Sequence, residues 1–155
     1  MKKKKFGKVA VIAIDIPWGN SECLGIFDSL EAANEAAGKH IGGYSPMGED
    51  TVFYPAENVG EEGMGVTVDR EGEEQEDGYR YLMLACDGPC CYVAKESFCG
   101  DVTYMGPYKD VDEANAKALR RLKTKFVCVP GSFDYGYYPI ETGRSRYILY
   151  DVYEG

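Results

Sequence analysis

Two stretches of the chain are apolar on both alternating faces. Val9, Val11 and Ala13 interleave with Ala10, Ile12 and Ile14, and Tyr81, Met83 and Ala85 interleave with Leu82, Leu84 and Cys86. Strand side chains point to alternate sides, so a run without a polar face predicts a central strand in a sheet covered above and below. Two other stretches carry the period of a helix. Leu30, Ala33, Ala37 and Ile41 fall on one helical face, as do Val111, Ala114, Ala118 and Leu122. Each set follows a residue suited to an N-cap, Ser29 and Asp110, and Asp110 with Glu113 has the spacing of a capping box. After each helix the pattern predicts a short strand ended by proline, Val52-Phe53-Tyr54-Pro55 and Val127-Cys128-Val129-Pro130. A further strand closes each half, Gly65 to Asp69 and Arg146 to Tyr153. The last has Ile148, Tyr150 and Val152 on one side and Tyr147, Leu149 and Asp151 on the other, the pattern of a half-buried strand.

The two helical segments align without a gap. Gly25 to Ala37 and Gly106 to Ala118 are offset by 81 residues, with four of thirteen positions identical (Gly25/Gly106, Ala33/Ala114, Asn34/Asn115 and Ala37/Ala118). The expected architecture is therefore α+β: two degenerate strand–helix–strand repeats, mainly antiparallel sheet, with one helix each. Residues 1–70 form the first repeat, 71–78 an acidic linker and 79–155 the second, within one compact unit. One helix covers one face of a sheet. The other face of each central strand must meet the second module, a long loop or a second copy of the chain, which makes a homodimer one of three solutions.

An apolar strand, a Gly-x-Phe/Tyr-x-Ser/Asp helix start, a Glu/Ala-containing helix and a Tyr-rich strand together resemble small uncharacterised modules of phage and Firmicutes-type proteins. Gly25 to Ala37, Gly106 to Ala118 and Tyr147-Ile148-Leu149-Tyr150-Asp151 carry the resemblance. It implies an origin on a mobile element and assigns no functional residue.

Charge narrows the partners. The formal net charge is −9, and Glu57 to Asp77 holds nine acidic residues against one basic. Nucleic acid requires clustered Lys and Arg, so direct binding to it is not expected. No apolar run has the length of a membrane span. Met1-Lys2-Lys3-Lys4-Lys5 ahead of Val9 to Ile14 has the start of a secretion signal, but Asp15 interrupts the apolar stretch and Pro17-Trp18 is a poor cleavage site. The expected location is cytoplasmic, in a host cell if the gene belongs to a phage, with its six cysteines reduced.

Candidate chemistry is sparse. Cys86, Cys90, Cys91 and Cys99 match a zinc ligand set in number, since zinc takes four ligands from closely spaced pairs. However, Cys91-Tyr92-Val93 reads as a strand, which points Cys90 and Cys91 to opposite faces, and the expectation is no metal and no cofactor. His40, the only histidine, is expected exposed at the end of the first helix, where a cation suits the dipole. Gly60, Gly63 and Gly65 precede a strand rather than a helix, which a phosphate cradle needs. No catalytic residue is assigned.

Two loops fit recognition better. Glu71, Glu73, Glu74, Glu76 and Asp77 lie in an acidic tract that would meet a basic partner, its carboxylates standing in for phosphates. Phe133, Tyr135, Tyr137 and Tyr138 lie in a Gly/Ser/Tyr loop, where tyrosine offers large amphipathic area at low entropic cost. The expected function is a non-enzymatic protein-interaction module, in its narrowest form a phage-type inhibitor of a host nucleic-acid-handling defence enzyme, as an anti-CRISPR protein is. A nucleotide-sequestering protein and a Cys- or zinc-dependent enzyme are the alternatives.

Overall fold

The computed structural model describes residues 6–16, 21–44, 52–60, 63–68, 78–127 and 137–153. They form two antiparallel sheets and two helices, with strand the prevailing element. The first sheet comprises β1 (Lys8–Ile16), β2 (Ser21–Phe27), β3 (Val52–Tyr54), β4 (Met64–Val68) and β5 (Gly78–Cys86), in the order β2-β1-β5-β4-β3. Helix α1 (Leu30–Tyr44) lies between β2 and β3 in the chain. The second sheet comprises β6 (Cys90–Ser97), β7 (Val102–Tyr108), β8 (Ile140–Glu141) and β9 (Ser145–Val152), in the order β7-β6-β9-β8, with α2 (Val111–Ala118) between β7 and β8. No helix among the described residues is long and apolar enough to cross a membrane.

The interior lies in three layers. Ala10, Ile12, Leu82, Leu84 and Cys86 of the first sheet meet Tyr92, Ala94, Tyr150 and Val152 of the second, so the sheets stack face to face. On the outer face of the first sheet, Val9, Val11, Ala13, Tyr81 and Met83 pack under Ala33, Ala37 and Ile41 of α1. On the outer face of the second, Cys91, Val93, Tyr147 and Leu149 pack under Ala114 of α2, with Leu119 and Phe126. The second face of the doubly apolar strands β1 and β5 is thus covered by the other half of the chain. Each fully buried Leu or Ile there contributes about 1.5–3 kcal/mol relative to exposure. The closing strand β9 is buried on both sides rather than one; only Arg146 and Asp151 are exposed along it, with Ile148 intermediate.

Strand pairing moves the boundary between the halves. β5 pairs with β1 along its length and with β4, so the strand after the acidic tract completes the first sheet. The chain passes from one sheet to the other at Asp87-Gly88-Pro89, not at residues 71–78. Each helix is preceded by a hairpin, β1–β2 or β6–β7, so the element order of each half is strand–strand–helix–strand–strand, with β3 an extra edge in the first. Gly25 and Gly106, expected in the lead-in to a helix, sit inside β2 and β7 at positive φ (141° and 135°), each beside a register shift in its hairpin. Those are β-bulges, which glycine accommodates because it lacks a Cβ.

The helix starts follow the capping residues. Ser29 Oγ accepts from the Ala32 amide (3.1 Å), and Asp110 Oδ1 accepts from the Glu113 amide (2.9 Å) while Glu113 reaches back to the Lys109 amide. The second helix ends at Ala118, before Leu122. Lys117, Arg120 and Arg121 would repel one another at helical spacing, and Leu119 turns into the core beside Phe126 instead. Leu122 still packs against that cluster from outside the helix.

Candidate functional site

Of the residues expected to bind a partner, Glu71, Glu73, Glu74, Glu76, Asp77, Phe133 and Tyr135 lie outside the described residues. Tyr137 and Tyr138, at the exit of the Gly/Ser/Tyr loop, have separate roles. Tyr137 is half-buried against the cluster beneath α2. Tyr138 is 50% exposed, and its amide donates to the Val127 carbonyl (2.9 Å); Val127 is itself 60% exposed. This hydrogen bond joins the described residues on either side of the Gly/Ser/Tyr sequence, and both side chains face water.

A cleft of about 700 Å³ lies between α2 and the segment that follows it, lined by Asp112, Asn115, Arg120, Leu122, Lys123 and Lys125 among others. It exists because α2 is short: α1 runs 15 residues and α2 only 8. Asn115 holds the far wall by accepting from the Phe126 amide (2.9 Å). Arg120, Arg121, Lys123 and Lys125 make this edge positive within an acidic protein. The sequence signal, four cations in six residues, was there to be read beside the more conspicuous acidic tract.

Cys86, Cys90, Cys91 and Cys99 do not converge as a ligand set. Cys86 and Cys90 belong to the layer between the sheets, Cys91 faces α2, and Cys99 is exposed at the β6–β7 turn. Among the described residues no group of three or more His, Cys, Asp or Glu is placed to hold a metal ion. Cys91 donates to Asp151 Oδ1 (3.2 Å), and burial, then this bond, pushes its thiol up to about 12. The neighbouring Cys90 and the Gly88 backbone hold the Cys86 thiol below its usual range against its burial, while the neighbouring Cys86 and burial raise the Cys90 thiol.

His40 departs from the expected exposed position. Its side chain is 20% exposed; Nε2 lies 3.3 Å from Glu22 Oε1, and Nδ1 lies 2.8 Å from the Tyr81 hydroxyl. The rings of Tyr79 and Tyr81 meet it edge-on. A carboxylate only accepts, so in the neutral imidazole Nε2–H faces Glu22 and Nδ1 accepts from Tyr81. Burial raises the Tyr81 phenol, which keeps it a donor. Carboxylate, imidazole and hydroxyl in a row have the order of a proton relay, but Tyr81 is 0% exposed and no substrate reaches its oxygen. The chain bolts the end of α1 to the centre of the first sheet. The sequence separation of 41 between His40 and Tyr81 leaves no local signal of the contact.

The chain matches no protein-family model, no curated protein and no solved structure.

Proposed function

We propose that the protein is a non-enzymatic binding module that recognises a protein partner through Val127, Tyr138 and the Gly/Ser/Tyr sequence between them. The observation that carries this reading is the pair Val127 and Tyr138, two exposed side chains whose backbones are hydrogen-bonded on either side of the sequence that holds Phe133 and Tyr135. Exposed aromatic anchors beside small adaptable residues are the composition of a recognition surface. The reactive types, by contrast, are tied into structural hydrogen bonds, as with His40 and Cys91. The narrower proposal is a phage-type inhibitor of a nucleic-acid-handling defence enzyme, supported by the sequence charge of Glu71, Glu73, Glu74, Glu76 and Asp77, which would oppose a basic channel. The test is a quantitative pull-down from host lysate with wild type, a Val127→Asp/Tyr138→Ala variant and a variant neutralised at those five acidic positions. A partner recovered by wild type and lost with the first variant, whose circular dichroism is unchanged, supports the reading. Equal recovery contradicts it, and equal recovery with the neutralised tract removes the mimicry.

The cleft supports a second reading, binding of a small anion such as a nucleotide, because its volume is that of an ordinary ligand site and Arg120, Lys123 and Lys125 line it. Stabilisation in a thermal-shift screen by a nucleotide, but not by its nucleoside, would favour it.

We also infer that the two halves descend from one module, divided at Asp87-Gly88-Pro89. Support comes from the shared strand order, the bulge glycines Gly25 and Gly106, and Asn34 and Asn115, each of which ties its helix to the segment that follows.

A further inference from the structure

The cleft at α2 has two chemically different parts, and the difference begins with one amide. In the first half, Asn34 uses both ends of its side-chain amide on the Ala56 backbone. The matching Asn115 uses only Oδ1, on the Phe126 amide, and its Nδ2 has no partner among the described residues. No buried side-chain nitrogen or oxygen among them goes unpaired, so Nδ2 stands open, and the cleft is the space that Asn115 lines. Asp112 also lines it. It lies three residues earlier, where helical spacing makes the two side chains neighbours, and it is exposed with no ion pair or hydrogen bond among the described residues. The helix therefore presents the two acceptor oxygens of a carboxylate beside an amide donor. The segment past the helix end has the opposite character. Arg120, Lys123 and Lys125 line the cleft without an ion pair among the described residues, and the Lys117–Glu113 salt bridge within the helix involves none of them.

We propose that this cleft binds a guanine nucleotide, its base read by Asp112 and Asn115 and its phosphates held by Arg120, Lys123 and Lys125. The proposal rests on the anion reading of the cleft and accounts for what an anion alone leaves unexplained, a carboxylate kept in a cationic cleft. A free phosphate is repelled by Asp112. A ligand that is anionic at one end and rich in hydrogen-bond donors at the other is held by both parts. Among the common bases, guanine alone sets two adjacent donors, N1–H and the N2 amino group, beside an acceptor, O6. The Asp112 carboxylate takes the two donors in bidentate fashion, and Asn115 Nδ2 donates to O6. Adenine and cytosine each offer a single amino group, and uracil a single ring N–H, so each leaves one carboxylate oxygen without a donor. The phosphates meet the planar fork of Arg120 and the two ammonium groups, which suit their oxygens. The cleft volume of about 700 Å³ is that of a site enclosing a ligand of this size, and Leu122 adds apolar lining.

The test is isothermal titration calorimetry of the folded full chain with the diphosphates of guanosine, inosine, adenosine and uridine. Inosine lacks the N2 amino group and keeps the rest of the guanine edge. Guanosine diphosphate should bind tightest, with inosine diphosphate weaker by about tenfold and the other two weaker again. A variant with Arg120→Ala and Lys123→Ala should weaken all four alike. Asp112→Asn, a change at an exposed position, replaces one acceptor by a donor. It should abolish the preference for guanosine and strengthen binding of xanthosine diphosphate, whose base carries an acceptor in place of the N2 amino group. If that variant does not fold, the ratio of guanosine to inosine affinity in wild type decides the matter. Equal affinities for the four diphosphates, weakened by the Arg120 and Lys123 changes, would overturn the guanine assignment and leave the anion reading standing. No binding of any of them at millimolar concentration would overturn both.

Discussion

Asn34 shows how much one side chain does in this fold. Its amide donates to the Ala56 carbonyl and its carbonyl accepts from the Ala56 amide, both at 2.9 Å, so it satisfies two backbone groups of a segment without regular structure. Asn115 makes one such bond, to the Phe126 amide. Asn34→Ala should therefore cost about 2–4 kcal/mol in urea unfolding and Asn115→Ala about half that, since each buried group left unsatisfied costs about 1–3 kcal/mol. Equal effects, or none, would remove the clamps. The sequence alignment marks both positions as identical, but it cannot show the bond, because the partner backbone carries no residue-type signature. A pH dependence also belongs to single groups. Burial holds the Tyr81, Tyr92 and Tyr150 phenols above their ordinary 10.0 and Cys91 above 9.0. Each binds its proton more tightly folded than unfolded. The stability they contribute is complete below the unfolded values and is lost as pH rises through them toward the folded ones. The urea midpoint should fall steadily above pH 9.0, and a midpoint that stays flat to about pH 12 would contradict the burial of these groups.

At the scale of elements, apolar periodicity located β1, β5, both helix faces and β9, because those segments bury side chains at a regular spacing. It missed β2 and β7. Ser21–Phe27 and Val102–Tyr108 are largely half-buried or exposed edge strands, each is bent by a bulge, and each contains a glycine that reads locally as a turn. The gapless sequence match covers the helices, but the strand expected ahead of the second helix lies elsewhere: β6, with Cys91-Tyr92-Val93, opens the second sheet, and Tyr81 to Cys86 belongs to the first. The bulges yield a prediction. At Gly106 an added Cβ would lie 2.9 Å from the Cys91 carbonyl oxygen, in a backbone conformation that L residues disfavour. At Gly25 the nearest atom is the Phe27 ring at 3.3 Å, which can give way. Gly106→Ala should destabilise by about 2–4 kcal/mol and Gly25→Ala by less, about 1–3 kcal/mol, in thermal or urea unfolding. The reverse order would show that β7 does not approach β6 as described.

At the scale of the whole molecule, stacking the sheets resolves a problem each half has alone. A sheet with one helix leaves its second apolar face open, and each half closes the other's. Little of the candidate site was legible by comparison. The Tyr-rich sequence stood out by composition, but the Val127–Tyr138 backbone bond and the cleft at α2 are long-range features with no local signature. The central claim is that one shared interior holds Cys23, Cys86 and Cys91 away from water while Cys99 faces it. Site-resolved alkylation of the reduced, folded protein tests it most directly. The account predicts rapid labelling of Cys99, slower labelling of Cys90, and labelling of Cys23, Cys86 and Cys91 only on unfolding. Prompt labelling of Cys86 and Cys23 under native conditions would contradict it, because the layer between the sheets would then be open.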